Sequence, residues 1–267
     1  MLLREVGYAR PSTLEEALQL LAANDGARAL AGGQTLINVM KARAASPDVL
    51  VDLSELDDLR GVDLSPDGTL TIGAMTTYTE LTSSAEARAR PILAEVCATI
   101  ADVQVRNRGT IGGNVCSNDP TNHLPPLMVA LAAQMVIYGP GGERTVPADE
   151  FFLGVYMTAV GQGEVLTQIR IPAGRRDGFS AITIGEDGTC ILNAAASLEA
   201  DLRVAIGCVD AVPVLLRPGS TDAEVVREAV RAAQLDPPSD VHASADYRRH
   251  LAEVVAVRAV EQALEGT

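Results

Sequence analysis

Residues 12 to 24 place Leu14, Ala17, Leu18 and Leu21 at helical spacing, and Ser12-Thr13-Leu14-Glu15 has the form of a capping box, so a helix is predicted first. In the following ARALAGGQTLI, short apolar runs flank Gly32 and Gly33, which predicts a strand, a glycine turn, and the start of a strand or helix. DVLVDL (48 to 53) reads as a short buried strand, and TLTIGAMTTYTEL (69 to 81) as strand, turn and short helix. Residues 91 to 102 return to the helical period, and a second glycine turn follows in RNRGTIGGNVCSNDP.

From Leu124 to Ile137 the chain is almost wholly apolar, and Pro125 and Pro126 suit the first turn of a buried helix that runs into a strand. EVLTQIRI (164 to 171) alternates at period two and stops at Pro172, after which GRRDG marks a boundary. Beyond it the pattern predicts two or three strands, about 189 to 199 and 203 to 209, and helices over 220 to 235 and 245 to 264. The last helix carries Val254, Val257, Val260 and Leu264 on one stripe. The pattern mixes helices and strands along the chain, and no internal repeat is evident.

A chain of 267 residues with 47% apolar content can bury a substantial core. Its net charge of −14 and lack of a basic run argue against a nucleic-acid partner. No segment approaches the roughly 20 apolar residues of a membrane span, and MLLREVGYARP lacks the charged and apolar regions of an export signal, so a soluble cytoplasmic protein is expected. Cys97, Cys116, Cys190 and Cys208 are far apart and form no CxxC pair. They read as separate buried thiols rather than a zinc or iron–sulfur site or a disulfide framework.

The two glycine turns carry the candidate chemistry. Ala31-Gly32-Gly33-Gln34-Thr35-Leu36 sets two residues without Cβ beside polar side chains, where backbone N–H groups can cradle an anion such as a pyrophosphate. The plainer reading is a tight turn, and the spacing fits neither GxGxxG nor a P-loop. Thr110-Ile111-Gly112-Gly113-Asn114 repeats the theme about eighty residues later. A dinucleotide cofactor could use both turns, with Thr35, Thr110 and Asn114 bonding its polar arms.

AGGQTLINVMKAR, then DVLVDL, then IADVQVRNRGTIGGN resembles the FAD-binding medium subunit of the molybdenum hydroxylases, the family of carbon monoxide, xanthine and nicotinate dehydrogenases. The likeness is close over residues 1 to about 172, including IGAMTTYTEL and FFLGVYMTAVGQGEVLTQIRIP, and looser afterwards. It implies a PCMH-type FAD-binding fold of two α+β subdomains, 1–55 and 56–174. A small C-terminal α+β domain with a three-stranded sheet would follow at 175–267, like that of the carbon monoxide dehydrogenase flavoprotein. It also implies that FAD lies against Ala29, Leu30, Ala31, Gly32, Gly33, Gln34, Thr35 and Leu36 on one side and Ile100, Gly109, Thr110, Gly113 and Asn114 on the other. Leu166 would meet the flavin or its edge.

The role so implied is electron relay: a large partner binds molybdopterin, a small partner carries two [2Fe–2S] clusters, and FAD passes electrons to an acceptor. Such subunits assemble as dimers of heterotrimers. His123 stands where the family commonly has an acidic residue contacting the FAD sugar chain, and the resemblance therefore adds it to the cofactor site. Asp119 reads as a turn residue. The family's lysine and arginine early in the third unit are missing from FSAITIGEDGTCILNAA, where Asp187 is a stand-in for the following aspartate. Tyr156 and Phe179 are the aromatic candidates near the ring. These departures leave two other readings open: a stand-alone flavoprotein oxidoreductase without molybdenum partners, and a descendant that keeps the fold without FAD.

Overall fold

The computed structural model describes residues 3–185, 188–199 and 201–266. The chain opens with β1 (Gly7–Ala9), α1 (Leu14–Ala23), β2 (Ala27–Leu30), α2 (Leu36–Lys41) and β3 (Val49–Asp52). The strands form a parallel sheet in the order β1-β3-β2, with Leu30 opposite Asp52. Ala17, Leu18 and Leu21 of α1 close its core against Ala27 and Val51. The helix starts one residue later than the capping pattern suggested. Thr13 Oγ1 accepts from the Glu16 N–H at 3.2 Å, and Glu16 reaches back to the Ser12 N–H at 2.9 Å.

A second sheet follows, built from β4 (Val62–Leu64), β5 (Leu70–Gly73), β6 (Gln134–Gly139), β7 (Gly142–Pro147) and, beyond the β8 (Phe152–Gly154) and β9 (Met157–Thr158) hairpin, β10 (Val165–Ile171). Its order is β4-β5-β10-β6-β7, antiparallel throughout. Between β5 and β6 come α3 (Tyr78–Ser83), α4 (Pro91–Thr99), α5 (Val103–Arg106), α6 (Ile111–Ser117) and α7 (Leu124–Ala130), and α8 (Ala148–Phe151) follows β7. All seven residues of α7 are buried, as the proline-led apolar run predicts. The β10 register slips at Thr167, an extra residue between the Leu166–Ile137 and Gln168–Val136 pairs. That bulge re-aims the start of the strand, where Val165 and Leu166 sit.

The third unit has four strands rather than three: β11 (Asp177–Thr183), β12 (Cys190–Ser197), β13 (Arg203–Gly207) and β14 (Val214–Leu216), paired antiparallel in that order. It ends with α9 (Ala223–Ala232) and α10 (Ala245–Glu265). Every residue of β12 is buried because the strand is covered on both faces. Ala194 and Ala196 belong to the core beneath α10, whereas Ala195 joins the core around α7. Alanine suits such close layers, and Gly178 more so: a Cβ there would lie 2.0 Å from the Ala259 carbonyl oxygen of α10.

The stripe read for the last helix is rotated. Val257 and Val260 are buried as read, together with Leu251, Val255, Ala256 and Ala263, but Val254 is only partly so and Leu264 is exposed. Alanine carried too little weight in the hydrophobic pattern for the true face to stand out. The GRRDG boundary is also tied down. Arg90, at the head of α4, forks onto Asp177 with contacts of 2.6 and 2.7 Å, and donates to Ser197 Oγ at 3.1 Å and to the Pro172 carbonyl. Both charges are almost fully buried, which clamps the third unit to the second.

Candidate functional site

A cleft of about 440 Å³ runs between the first sheet and the second. That is within the usual size of a cofactor site. One wall is the β2–α2 turn, and the other is the start of α6 with Val165 and Leu166 of β10.

The two glycine turns touch. A Cβ on Gly32 would lie 2.1 Å from the carbonyl oxygen of Arg108, so only glycine allows this approach. Gly33 has φ of +73°, the left-handed region that glycine enters without strain. Among the described residues, the backbone N–H groups of Gly32, Gly33, Gln34 and Thr35 find no protein acceptor, although the Gly33 carbonyl accepts from Ile37 and the Gly32 carbonyl from Gln34 Nε2. Thr35 makes no side-chain cap on α2. A row of unpaired N–H groups beside a cleft is what an anionic ligand requires.

The second turn is held from behind. Thr77 caps α3 with Glu80, and the backbone runs Gly112 N–H to Ala74 O at 2.9 Å and Ile111 N–H to Thr76 O at 3.0 Å. A Cβ on Gly112 would fall 2.5 Å from Ala74. Thr110 caps α6 through Gly113 N–H at 3.1 Å. Asn114 follows, and its Oδ1 is buried with no hydrogen-bond partner. The same amide lies within hydrogen-bonding reach of the Tyr78 hydroxyl, and a buried acceptor left without a partner in a cleft wall is a place where a donor on a bound group would be met.

Ala29, Ala31, Gly32, Gly33, Gln34, Thr35, Leu36, Gly109, Thr110, Gly113, Asn114 and Leu166 all line this cleft, and Leu30 lines its outer continuation with Lys41 and Arg108. Two candidates fall outside the wall. Ile100 ends α4 and packs on the central core. His123 precedes α7 and faces the third unit, with its ring 5.3 Å from Phe179 and its Nδ1 3.4 Å from Asn193 Nδ2. The chain bends at Asn118, whose φ is +38°, and carries the following loop away from the cleft. Phe179 therefore packs against His123, its ring tilted at 48°, rather than lining the cleft. Tyr156 does line it, and its hydroxyl donates to Asp119 Oδ2 at 3.0 Å. Asp187 lies outside the described residues.

Tyr78 and Glu164, not singled out in the sequence, also line the cleft, as does Cys116, which was read only as a buried thiol. Tyr78 had a signal, since it is the first helical residue after the Thr77–Glu80 capping box. It packs so tightly that a Cβ on Gly109 would come 2.7 Å from its ring. Burial pushes its hydroxyl well above the ordinary value and pushes the Cys116 thiol up to about 12. Both stay neutral. Glu164 is held below the usual carboxylate range, first by the Arg144 guanidinium at 2.6 and 2.9 Å and also by the Gly161 N–H.

The model of the FAD binding domain in molybdopterin dehydrogenase matches residues 4–174, and that of the CO dehydrogenase flavoprotein C-terminal domain matches residues 182–263. The chain is 36% identical to the carbon monoxide dehydrogenase medium chain of Hydrogenophaga pseudoflava, over 96% of each chain. It is 32% identical to the glyceraldehyde dehydrogenase medium chain of Sulfolobus acidocaldarius, over 97% of this chain and 98% of that one. Among solved structures, a chain of the quinoline 2-oxidoreductase of Pseudomonas putida 86 superposes with a TM-score of 0.91 at 32% identity, covering 99% of both.

Proposed function

The chain belongs to the family of FAD-binding domains of molybdopterin dehydrogenases, and from that membership we propose that FAD occupies the cleft between the first two sheets. The turn from Ala29 to Leu36 takes the pyrophosphate. Gly109, Thr110, Gly113 and Asn114 hold the opposite side, and Leu166 meets the edge of the ring. The observation that supports this placement is that the unpaired N–H groups from Gly32 to Thr35 and the buried, partnerless Asn114 Oδ1 belong to the lining of one cleft. We assign residues 1–55 and 56–174 to the two halves of this binding unit and 175–267 to the C-terminal unit.

The protein is the FAD-binding, electron-transferring component of an oxidoreductase. Bound flavin supplies the exchange between one-electron and two-electron chemistry. The chain's own residues position it and keep water from it. The unpaired N–H groups would meet its negative charge, Val165 and Leu166 would shield it from solvent, and Tyr78 and Cys116 would present uncharged side chains to it. No residue of the cleft needs to act as nucleophile or as general acid or base.

We further propose a large molybdopterin-binding partner and a small partner with two [2Fe–2S] clusters, assembled as a dimer of heterotrimers. The relatives' names as medium chains support this. Among the described residues no helix is long and apolar enough to cross a membrane. Four free thiols suit the reducing cytoplasm that we assign to the complex. The test is an absorption spectrum of the purified chain after addition of FAD and desalting, with denaturation to identify the released flavin. Retained flavin bands are the expected result, and a colourless protein that refuses FAD overturns the reading.

A further inference from the structure

Cys190 and Cys208, eighteen positions apart in the sequence, meet at the junction between the second and third units. Two backbone distortions bring them together. In β12 the pairing with β11 slips at Ile191, so that Leu192 faces Ile182 while Cys190 faces Thr183. The bulge returns the Cys190 side chain to the face that carries Asn193. At the end of β13, Cys208 takes φ of +64°, a left-handed conformation that a residue with a Cβ adopts only under constraint. Asn193 Nδ2 stands 3.4 Å from Cys190 Sγ and 3.9 Å from Cys208 Sγ, so the two sulfurs flank one nitrogen.

The pair has a polar surround and an opening. His123 Nδ1 lies 3.4 Å from the same Asn193 nitrogen, and Asn193 Oδ1 is buried with no partner. A pocket of about 90 Å³ reaches both thiols between Pro120, Asp240, His242 and Arg248. A single water needs about 10–15 Å³ of such space, so the pocket admits a small molecule such as hydrogen peroxide. The thiols are unequal. Cys190 is held below the ordinary thiol value, first by a hydrogen bond from Cys208 and then by His123 and Asn193, while Cys208 is pushed above it by its bond to Cys190 and by burial. The Asn193 amide nitrogen also stands nearer Cys190 Sγ, at 3.4 Å, than Cys208 Sγ, at 3.9 Å, which makes Cys190 the attacking sulfur.

We propose that Cys190 and Cys208 form a redox-active dithiol site that a small peroxide converts to a disulfide across the β12–β13 edge. Cys190 sulfur attacks one peroxide oxygen and the O–O bond breaks, leaving a sulfenic acid on Cys190 and releasing one water from hydrogen peroxide. Cys208 sulfur then displaces the hydroxyl group, the S–S bond forms, and a second water leaves. Two electrons pass from the sulfurs to the peroxide, and the two thiol protons end in the two waters. External dithiol reverses the reaction. The inference is independent of whether FAD is bound.

The test uses the full chain, purified under reductant, exposed to hydrogen peroxide, quenched and alkylated after denaturation. Alkylatable thiols are expected to fall from the four of the reduced protein to two, with loss of two hydrogens in intact mass. Proteolysis should yield one linked peptide pair joining residues 190 and 208, and dithiothreitol should restore all four thiols. In Cys208→Ser, Cys190 should stop at the sulfenic acid and take up dimedone; Cys190→Ser should take up none. Four thiols surviving peroxide in the wild-type chain overturns the proposal. So does oxygen addition at single cysteines without a 190–208 link, which needs no variant to fold.

Discussion

Gly32→Ala tests the contact between the two glycine turns. The new Cβ would stand 2.1 Å from the Arg108 carbonyl oxygen and 2.8 Å from its carbon, against an ordinary contact of 3.4 Å or more. Neither atom is the end of a flexible side chain, so the turns must part by about 1 Å. A shift of that size takes at least one N–H group of the 32–35 row out of reach of a phosphate oxygen. A hydrogen bond to a charged group contributes about 1.5 to 3 kcal/mol, so FAD should bind roughly 10- to 150-fold more weakly. The assay is fluorescence titration of the apoprotein with FAD, with a thermal melt to show that the fold survives. Gly141→Ala is the control, because its Cβ would meet nothing within 4 Å. Unchanged FAD affinity in Gly32→Ala, with the control behaving as wild type, would refute the placement of the pyrophosphate on this turn.

Arg90→Met leaves Asp177 buried without its partner and should lower stability by about 3–5 kcal/mol in urea unfolding; a loss below about 1 kcal/mol would mean that the clamp between the units contributes little. His123→Asp should leave FAD content unchanged, since the ring faces Phe179 and Asn193 rather than the cleft, and loss of flavin absorbance in that variant would restore the residue to the cofactor site. The Arg144–Glu164 contact should be pH-dependent. Because the folded carboxyl lies below its ordinary 4.5, its stabilisation is complete above that value and is lost as the pH falls through the lowered one. Glu164→Gln should therefore show a shallower acid loss of melting temperature than wild type, and identical slopes below pH 4.5 would count against it.

Local patterns were legible where one short segment held the whole signal. The period-two alternation of 164 to 171 became β10, the proline-led run became α7, and the first glycine turn lies between β2 and α2 as its flanks suggested, whereas Gly112 and Gly113 fall in the first turn of α6. The β8–β9 hairpin and β11 were missed, because β11 mixes polar and apolar residues without strict alternation and is held by β12 and α10. Alanine-rich faces hid the true stripe of α10. What one turn does to the other was also out of reach, since the need for Gly32 comes from the Arg108 carbonyl, seventy-six positions away.

His123 shows why a motif position does not transfer as a contact. In the sequence it stands where the resembled family commonly has an acidic residue that contacts the FAD sugar chain, and that position made it a cofactor residue. In space Asn118 turns the backbone, donates through Nδ2 to the Gly154 carbonyl at 2.7 Å, and directs the 119–123 loop toward the third unit. There Asn193 donates to the Asn122 carbonyl at 3.2 Å, and Asn122 in turn donates to the Asn114 carbonyl at 3.2 Å. The thiol pair and the cofactor wall are thus linked by two asparagine side chains rather than by direct contact. A substitution at Asn122 that removes its side-chain donor, Asn122→Ala, would cut that link while leaving both ends in place. It should loosen the 119–123 loop against α6, read as faster amide hydrogen exchange over 119–123 with FAD affinity unchanged, and unchanged exchange there would refute the link.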